Sequence, residues 1–178
     1  MTGSSTATGS GFDEFVAAHS TSLLRAAYLL VGDRGHAEDL VQSTLVRVGG
    51  HWRAAQEAPR PYAHRVLINL SRNHIRDLTR RPKVASQRDA GDPATASGDI
   101  DRVEDRQVLT TALRQLPDRQ REIAVMRFIL DLSVTETAAL LGIPEGTVKS
   151  ATHRALRGLR DHLDGVHPPV PVEVGRAD

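Results

Sequence analysis

The sequence contains no cysteine, and only 3% of its 178 residues are aromatic. The first absence excludes disulfide bonds, cysteine-based zinc sites and thiol catalysis. The second means that a core must be built mainly from Leu, Val, Ile and Ala. This favours packed helices, because β-sandwiches prefer β-branched and aromatic residues. Hydrophobic residues make up 39% of the chain, which is enough for such a core. We therefore predict an all-α fold.

Long hydrophobic runs and a targeting signal are also lacking. No run approaches the ~20 apolar residues of a membrane span. The segment 1–11 is rich in Ser, Thr and Gly, without the basic start and apolar centre of a secretory signal. These absences predict a cytoplasmic protein with no membrane partner. Residues 1–11 are predicted to be disordered.

Metal-binding motifs are missing as well. The eight histidines are scattered and form neither a His-Glu-x-x-His nor a His-x-His pattern. The nearest candidate for a metal site is His36 with Asp39, which share one turn of a predicted helix. A single pair is a weak signal, so we predict no metal, no other cofactor and no enzymatic activity.

Charge is present, but in blocks that the net charge of +1 conceals. Residues 60–88 hold eight Arg or Lys and one acid, whereas residues 89–105 hold six acids and one base. A basic block is where a polyanion binds. Residues 83–100 have no helical periodicity, which predicts a flexible acidic linker between two small helical domains, 12–82 and 101–164. The tail at 165–178 is predicted to be loose.

The segment 133–159 predicts a helix, a tight turn and a second helix. Ser133 and Glu136 have the spacing of a capping box, which begins a helix. Gly142 ends that helix, because glycine adopts a left-handed conformation at little cost. Pro144 stands near the start of the next helix. Side chains at helical spacing predict the buried faces, which comprise Ala138, Leu140, Leu141, Val148, Ala155, Leu156 and Leu159.

The other face of this second helix is polar and cationic. A helix pair with a glycine-containing turn is typical of the helix-turn-helix, whose second helix enters the major groove of DNA. Side chains near its start reach base edges, and flanking cations reach phosphates. The candidate DNA-binding residues are Thr147, Lys149, Ser150, His153, Arg154 and Arg157. The alternative is an ordinary helical hairpin with a solvated basic face.

The first domain is predicted to hold three helices. They run from Phe12 to Leu30, from about His36 to Val48, where Gly49-Gly50 ends the helix, and roughly from Tyr62 to Thr79 after Pro59 and Pro61. The third helix gathers Arg65, Asn69, Arg72, Asn73 and Arg76 on one side. Arg pairs with phosphate and Asn bonds base edges, so this side is a second candidate nucleic-acid surface. The alternative for the third helix is an ordinary solvated face. The polar face of the second helix is likewise either solvated or a docking surface for a protein.

Four motifs, in this order, resemble an extracytoplasmic-function (ECF) sigma-70 factor. They are Ala37-Glu-Asp-Leu-Val-Gln-Ser-Thr-Leu-Val-Arg-Val48, Tyr62-Ala-His-Arg-Val-Leu-Ile-Asn-Leu70, Leu116-Pro-Asp-Arg-Gln-Arg-Glu-Ile123, and Gly142-Ile-Pro-Glu-Gly-Thr-Val-Lys-Ser150 with Arg154-Ala155. Ala27-Tyr-Leu-Leu30 looks most like the sigma-E-type group common in actinobacteria. The resemblance covers about Phe12 to Leu163.

The resemblance implies a bacterial RNA polymerase subunit that selects promoters and helps melt them. The first domain would be sigma-2, in which Asn69 meets a flipped base of the −10 element. The neighbouring strand would be lined by Arg65, Arg72, Asn73 and Arg76. The second domain would be sigma-4, with its recognition helix on the duplex −35 element. The family often has Arg or Lys where this chain has Ala151, so a DNA contact would be missing there.

The resemblance also implies protein partners. The clamp helices of the largest polymerase subunit would bind Asp39, Leu40, Gln42 and Arg47. The flap of the second subunit and an anti-sigma factor are further implied partners. The linker would either mimic RNA phosphates in the RNA channel of the polymerase or serve as a plain tether.

A free-standing helix-turn-helix regulator that binds duplex DNA is the alternative function. It accounts for the last third of the chain but leaves the first domain without a role. Such regulators usually bind as symmetric dimers, and no obvious dimer helix is present.

Overall fold

The computed structural model describes residues 5–80 and 100–166, and in these residues it contains eight α-helices and no β-strand. The first four helices are α1 (Ser5–Val31), α2 (Arg34–Gly50), α3 (Trp52–Ala55) and α4 (Pro59–Arg80). The others are α5 (Ile100–Gln115), α6 (Asp118–Phe128), α7 (Val134–Leu141) and α8 (Glu145–Val166). The predicted all-α class is confirmed. The predicted linker and tail lie outside the described residues, except for their outermost helical residues.

The first domain packs α1 against α2 and α4. Its core is aliphatic, as the scarcity of aromatic residues predicted, and Leu23, Leu67 and Ile68 are fully buried. Burial of each such side chain contributes roughly 1.5–3 kcal/mol to folding. Leu78, near the end of α4, is 52% exposed and lies outside this core.

Two predicted helix ends in this domain are wrong. Helix α1 begins at Ser5, within the segment predicted to be disordered, and α2 continues through Gly49 and Gly50. Tertiary packing accounts for part of the second difference. The Phe12 ring packs edge-on against Trp52 and covers Gly49, where a Cβ atom would lie 3.1 Å from the ring. A glycine in a helix costs about 1 kcal/mol, which packing of this kind offsets.

The second domain contains the predicted helix, turn and helix. Ser133 and Glu136 form both hydrogen bonds of the capping box at the start of α7. Gly142 ends α7 with φ +63°, in the left-handed region. Helix α8 packs on α5, α6 and α7. At α6, Pro117 rather than Asp118 is the N-cap residue, and the Asp118 carboxylate instead pairs with Arg121 at 2.5 Å.

The two domains pack against each other in this conformation. Helix α1 contacts both α5 and α6, and one continuous cluster of buried side chains extends from Phe15 in α1 to Ala155 in α8. The sequence left the relative arrangement of the domains open. Polar contacts between the domains therefore bear directly on which surfaces are available to partners.

Candidate nucleic-acid interface

Helix α8 presents all six residues predicted to bind DNA on its exposed side. They are Thr147, Lys149, Ser150, His153, Arg154 and Arg157. The opposite side is buried through Val148, Ala151 and Ala155, each at most 3% exposed. An amphipathic helix of this kind is held by its apolar stripe while its polar stripe remains accessible. The helix therefore offers a continuous cationic and polar surface of the size that a DNA major groove accepts.

Two side chains on this helix lie elsewhere than predicted. Ala151 is 3% exposed, so position 151 faces the core and does not account for a missing DNA contact. Leu156 was predicted to be buried but is 44% exposed, where it lines a shallow groove with Lys149 and His153. The apolar stripe of α8 follows Val148, Ala151 and Ala155, and Leu156, one position after Ala155, lies beside this stripe and not on it.

The start of α8 is tied to α7 by side-chain hydrogen bonds. Thr135 Oγ1 in α7 donates to Glu145 Oε1 in the first turn of α8 over 2.7 Å. At the start of α7, the Ser133 backbone N–H donates to Glu136 Oε2 over 2.7 Å. This bond, together with the Ser133 hydroxyl, lowers the pKa of Glu136. The Thr135–Glu145 bond thus joins α7 to α8, whereas the bonds between Ser133 and Glu136 cap α7 itself.

Helix α4 carries the second predicted nucleic-acid surface, and most of it is exposed. Arg65, Asn69, Asn73 and Arg76 all lie on its exposed side. Behind them, Ala63, Leu67 and Ile68 are completely buried. The structure thus brings four of the five predicted residues together on one accessible face. The fifth, Arg72, lies in a different environment.

Arg72 is engaged by the second domain. Its Nε and Nη2 atoms both donate to the carboxylate of Glu122 in α6, with a distance of 3.0 Å from Nη2 to Oε2. Arg119 Nη1 donates to the same Oε2 atom over 2.7 Å. The Glu122 side chain is only 10% exposed. We call these three residues, Arg72, Glu122 and Arg119, the clasp. A two-point Arg–carboxylate pair in a partly dehydrated site is among the stronger polar contacts in proteins.

Sequence reasoning missed the clasp because its partners are 50 positions apart. One signal was present. Glu122 begins a run through Met126 in which all five residues are buried, and a carboxylate in such a run requires a partner. The identity of that partner depended on how the two domains pack.

A cluster of histidines lies under the exposed face of α4. His64 is 3% exposed, and its Nδ1 atom has no hydrogen-bond partner among the residues that the structure describes. Burial first, and then the charge of Arg60, lowers the pKa of His64 to about 4. Burial and Arg60 also lower the pKa of His19. His64 is therefore neutral at physiological pH and serves as a core residue.

The face of α2 predicted to bind the polymerase is mostly exposed. Asp39, Gln42 and Arg47 lie on the surface. Leu40 does not, because it is 8% exposed and packs in the core with Ala37 and Val48. Leu40 thus supports this surface from beneath instead of forming part of it.

No group of three or more potential metal ligands lies close together among the described residues. His36, which was paired with Asp39 in the weak metal hypothesis, instead contacts Asp33, with 3.0 Å between His36 Nδ1 and Asp33 Oδ1. Within residues 5–80 and 100–166, no helix has the length and apolar character to span a membrane.

Comparison with known protein families matches both domains. Residues 15–81 match sigma-70 region 2, and residues 106–159 match sigma-70 region 4. The first match contains α2, α4 and the basic face of α4, and the second contains the clasp carboxylate and the helix-turn-helix. Each candidate nucleic-acid surface thus lies in a separate matched region of one family, and the family is generally non-enzymatic.

Individual relatives agree with the family matches. The chain is 36% identical to the RNA polymerase sigma-E factor of Streptomyces coelicolor over 156 residues, covering 85% of each chain. It is 37% identical to the ECF RNA polymerase sigma factor SigL of Mycobacterium tuberculosis over 147 residues, covering 80% of this chain and 82% of the relative. These alignments include both domains.

A solved structure agrees in fold. The sigma factor RpoE of Bartonella quintana, crystallised with the anti-sigma factor NepR, superposes with a TM-score of 0.68 at 25% identity. The match covers 86% of this chain and 96% of that one. Sequence, fold and the two matched regions lead to one conclusion: the chain belongs to the extracytoplasmic-function sigma-70 family and is a sigma factor of transcription initiation.

Proposed function

We propose that α8 binds the duplex −35 element while the exposed face of α4 binds the melted −10 strand. The observation that carries the proposal is the exposure of both faces on separate matched regions. Lys149, Arg154 and Arg157 supply cations along α8, and Arg65 and Arg76 supply them along α4. Contacts of this kind bind phosphates and base edges.

Asn69 is the residue we assign to base recognition at the −10 element. It is exposed in the middle of the α4 face, with Arg65 before it and Asn73 after it. An amide both donates and accepts hydrogen bonds, so it can read the pairing edge of a flipped base. Flipping costs roughly a few kcal/mol, which contacts in the receiving pocket offset.

We assign the exposed residues of α2, namely Asp39, Gln42 and Arg47, to the clamp helices of the largest polymerase subunit. Leu40 holds the helix in place below them. The domains 12–82 and 101–164 correspond to sigma-2 and sigma-4 in this proposal, with a linker at 83–100. We further propose that the protein acts in the cytoplasm and carries out no catalytic step. Its sigma-4 domain would contact the flap of the second polymerase subunit. An anti-sigma factor would regulate it, because the Bartonella relative was crystallised with one.

Run-off transcription with core RNA polymerase tests the proposal. The wild-type protein should direct initiation at defined sites on genomic fragments. The Asn69→Ala variant should reduce discrimination among −10 sequences and still bind core polymerase, because Asn69 lies on α4 and the docking residues lie on α2. A Glu57→Gln variant, changed at an exposed position before α4, serves as the control and should behave as the wild type.

Two results would contradict the assignments. Unchanged −10 discrimination in Asn69→Ala would remove that residue from the site. Sequence-specific binding of duplex DNA without any polymerase-dependent initiation would instead favour the free-standing regulator, which the family membership argues against.

A further inference from the structure

The clasp removes one residue from the −10 surface in this conformation. The Nε–Nη2 edge of the Arg72 guanidinium is occupied by the Glu122 carboxylate. Arg119 bonds the same carboxylate and holds it in place. A carboxylate and a phosphate compete for the same guanidinium geometry. Arg72 therefore cannot offer this edge to a phosphate for a two-point contact while the clasp is closed.

Other contacts join the domains at separate points. Arg60 Nη2 in α4 donates to the backbone carbonyl of Leu130 over 2.9 Å, across 70 positions of sequence. The guanidinium of Arg114 in α5 rests directly on Gly32, at the turn after α1. The clasp is therefore one of several contacts that favour the closed state, beside the buried side chains that α1 shares with the second domain, and weakening it shifts the balance between closed and open states.

We propose that Glu122 is an internal competitor of the promoter strand, which holds the free protein closed until Arg72 is released. This inference rests on the proposed −10 role of α4. In the closed state the α4 face lacks the Nε–Nη2 edge of Arg72, which Glu122 in α6 holds. When the domains separate, Arg72 joins Arg65 and Arg76 as a third cation on that face.

The energetic consequence is a loss of apparent affinity in the free protein. A protein whose binding-competent state is a minor population binds less tightly in proportion to that population. Weakening the clasp raises the open population and thus the apparent affinity for a DNA strand. The Glu122→Gln change removes the charge of the carboxylate with little change in its shape, so it weakens the clasp selectively.

The experiment measures domain separation and strand binding in the same full-length proteins. Because the chain has no cysteine, Glu57→Cys with Arg160→Cys places one label on each domain at exposed positions. Energy transfer between the labels reports separation. Fluorescence anisotropy with a short DNA strand of random sequence reports binding. The Asp13→Asn variant is the matched control, because it removes one carboxylate from the exposed side of α1.

The proposal predicts that Glu122→Gln lowers energy transfer and binds the strand about tenfold more tightly than the wild type. Asp13→Asn should change neither by more than about twofold, the size of a simple charge effect. Arg60→Ala, which removes a different contact between the domains and leaves the clasp residues intact, should shift both readouts in the same direction. It keeps the test valid if Glu122→Gln folds poorly.

Each of the other outcomes overturns one stated part of the proposal. Unchanged energy transfer in both variants would overturn the clasp as a closing device, whatever α4 binds. Lower energy transfer with unchanged strand binding would overturn the competition between Glu122 and DNA. In that second case, run-off transcription by Arg72→Ala at the wild-type level would show that the −10 assignment of Arg72 itself is at fault.

Discussion

The two basic helices, α4 and α8, differ in how available they are. Helix α8 presents every predicted DNA-binding residue to solvent, whereas α4 has Arg72 bound to the other domain. Both helices are amphipathic, and both are anchored by fully buried residues, such as Val148 in α8 and Leu67 in α4. Local sequence determines the amphipathic pattern, but domain packing determines access. Under the proposed roles, duplex recognition by α8 needs no rearrangement, whereas full use of Arg72 in strand recognition does.

Histidines on the two helices provide the largest expected contrast. His64 on α4 is buried with its pKa lowered to about 4, whereas His153 on α8 is exposed. Above pH 6.5 His64 is neutral in both folded and unfolded states. As the pH falls from 6.5 to 4, the unfolded chain binds a proton that the folded state resists. The free energy of unfolding should therefore fall by about 3 kcal/mol over that window and level off below pH 4.

Chemical denaturation at a series of pH values measures this effect. The His64→Gln variant should lose the part of this change that His64 supplies, about 3 kcal/mol between pH 6.5 and 4, because it lacks the imidazole. The part that His19 supplies, whose pKa is also lowered, should remain. If the variant keeps the whole wild-type slope, the acid sensitivity belongs to other groups and the burial of His64 has no energetic consequence.

Arginines on the two helices provide the second contrast. Arg154→Ala should weaken binding to a −35 duplex by about 1–3 kcal/mol and relax specificity there, if Arg154 bonds a base edge. Arg72→Ala in the free protein should weaken strand binding by less, because wild-type Arg72 must first leave Glu122. Titrations of each variant against matched and scrambled DNA measure both effects. An equal loss for Arg154→Ala on scrambled DNA would reduce its role to a phosphate contact, and a larger loss for Arg72→Ala would contradict the closed clasp.

The left-handed glycines that end α1 and α7 provide the smallest contrast. Gly142 has φ +63° and open space around it, so Gly142→Ala should cost about 1 kcal/mol of stability through backbone strain alone. Gly32 has φ +76°, and a Cβ atom there would also collide with Arg114 of the second domain. Gly32→Ala should therefore cost more and should also loosen the domain contact. Thermal unfolding of both variants measures the difference. Equal losses of stability would mean that the Arg114 side chain moves away from the added methyl group at no energetic cost.

Much of the second domain could be predicted from sequence, because its signals are local. The capping box of Ser133 and Glu136 and the turn at Gly142 each depend on residues within a few positions. The exposed cationic face of α8 follows from the same periodicity. Helix ends in the first domain were less predictable. The continuation of α2 through Gly49 depends on the ring of Phe12, which is distant in sequence.

The sequence predicted which helix faces form the candidate site, but not which of their side chains contact the other domain. The exposure of Asn69 and Arg154 follows from helical spacing. The pairing of Arg72 with Glu122 does not, because it is created only when α4 and α6 meet across the domain boundary. Leu40 differs from both, because only the resemblance implied a partner contact for it, and its side chain is in the core.

The central claim is that two separate helical faces engage two separate promoter elements. Footprinting of the polymerase holoenzyme on a promoter tests it most directly, with nuclease protection reporting duplex binding and permanganate reactivity reporting melted thymines. We predict upstream protection that Arg154→Ala weakens and downstream melting that Asn69→Ala weakens, each with the smaller effect on the other signal. A single protected region, or the equal loss of both signals in each variant, would contradict the claim.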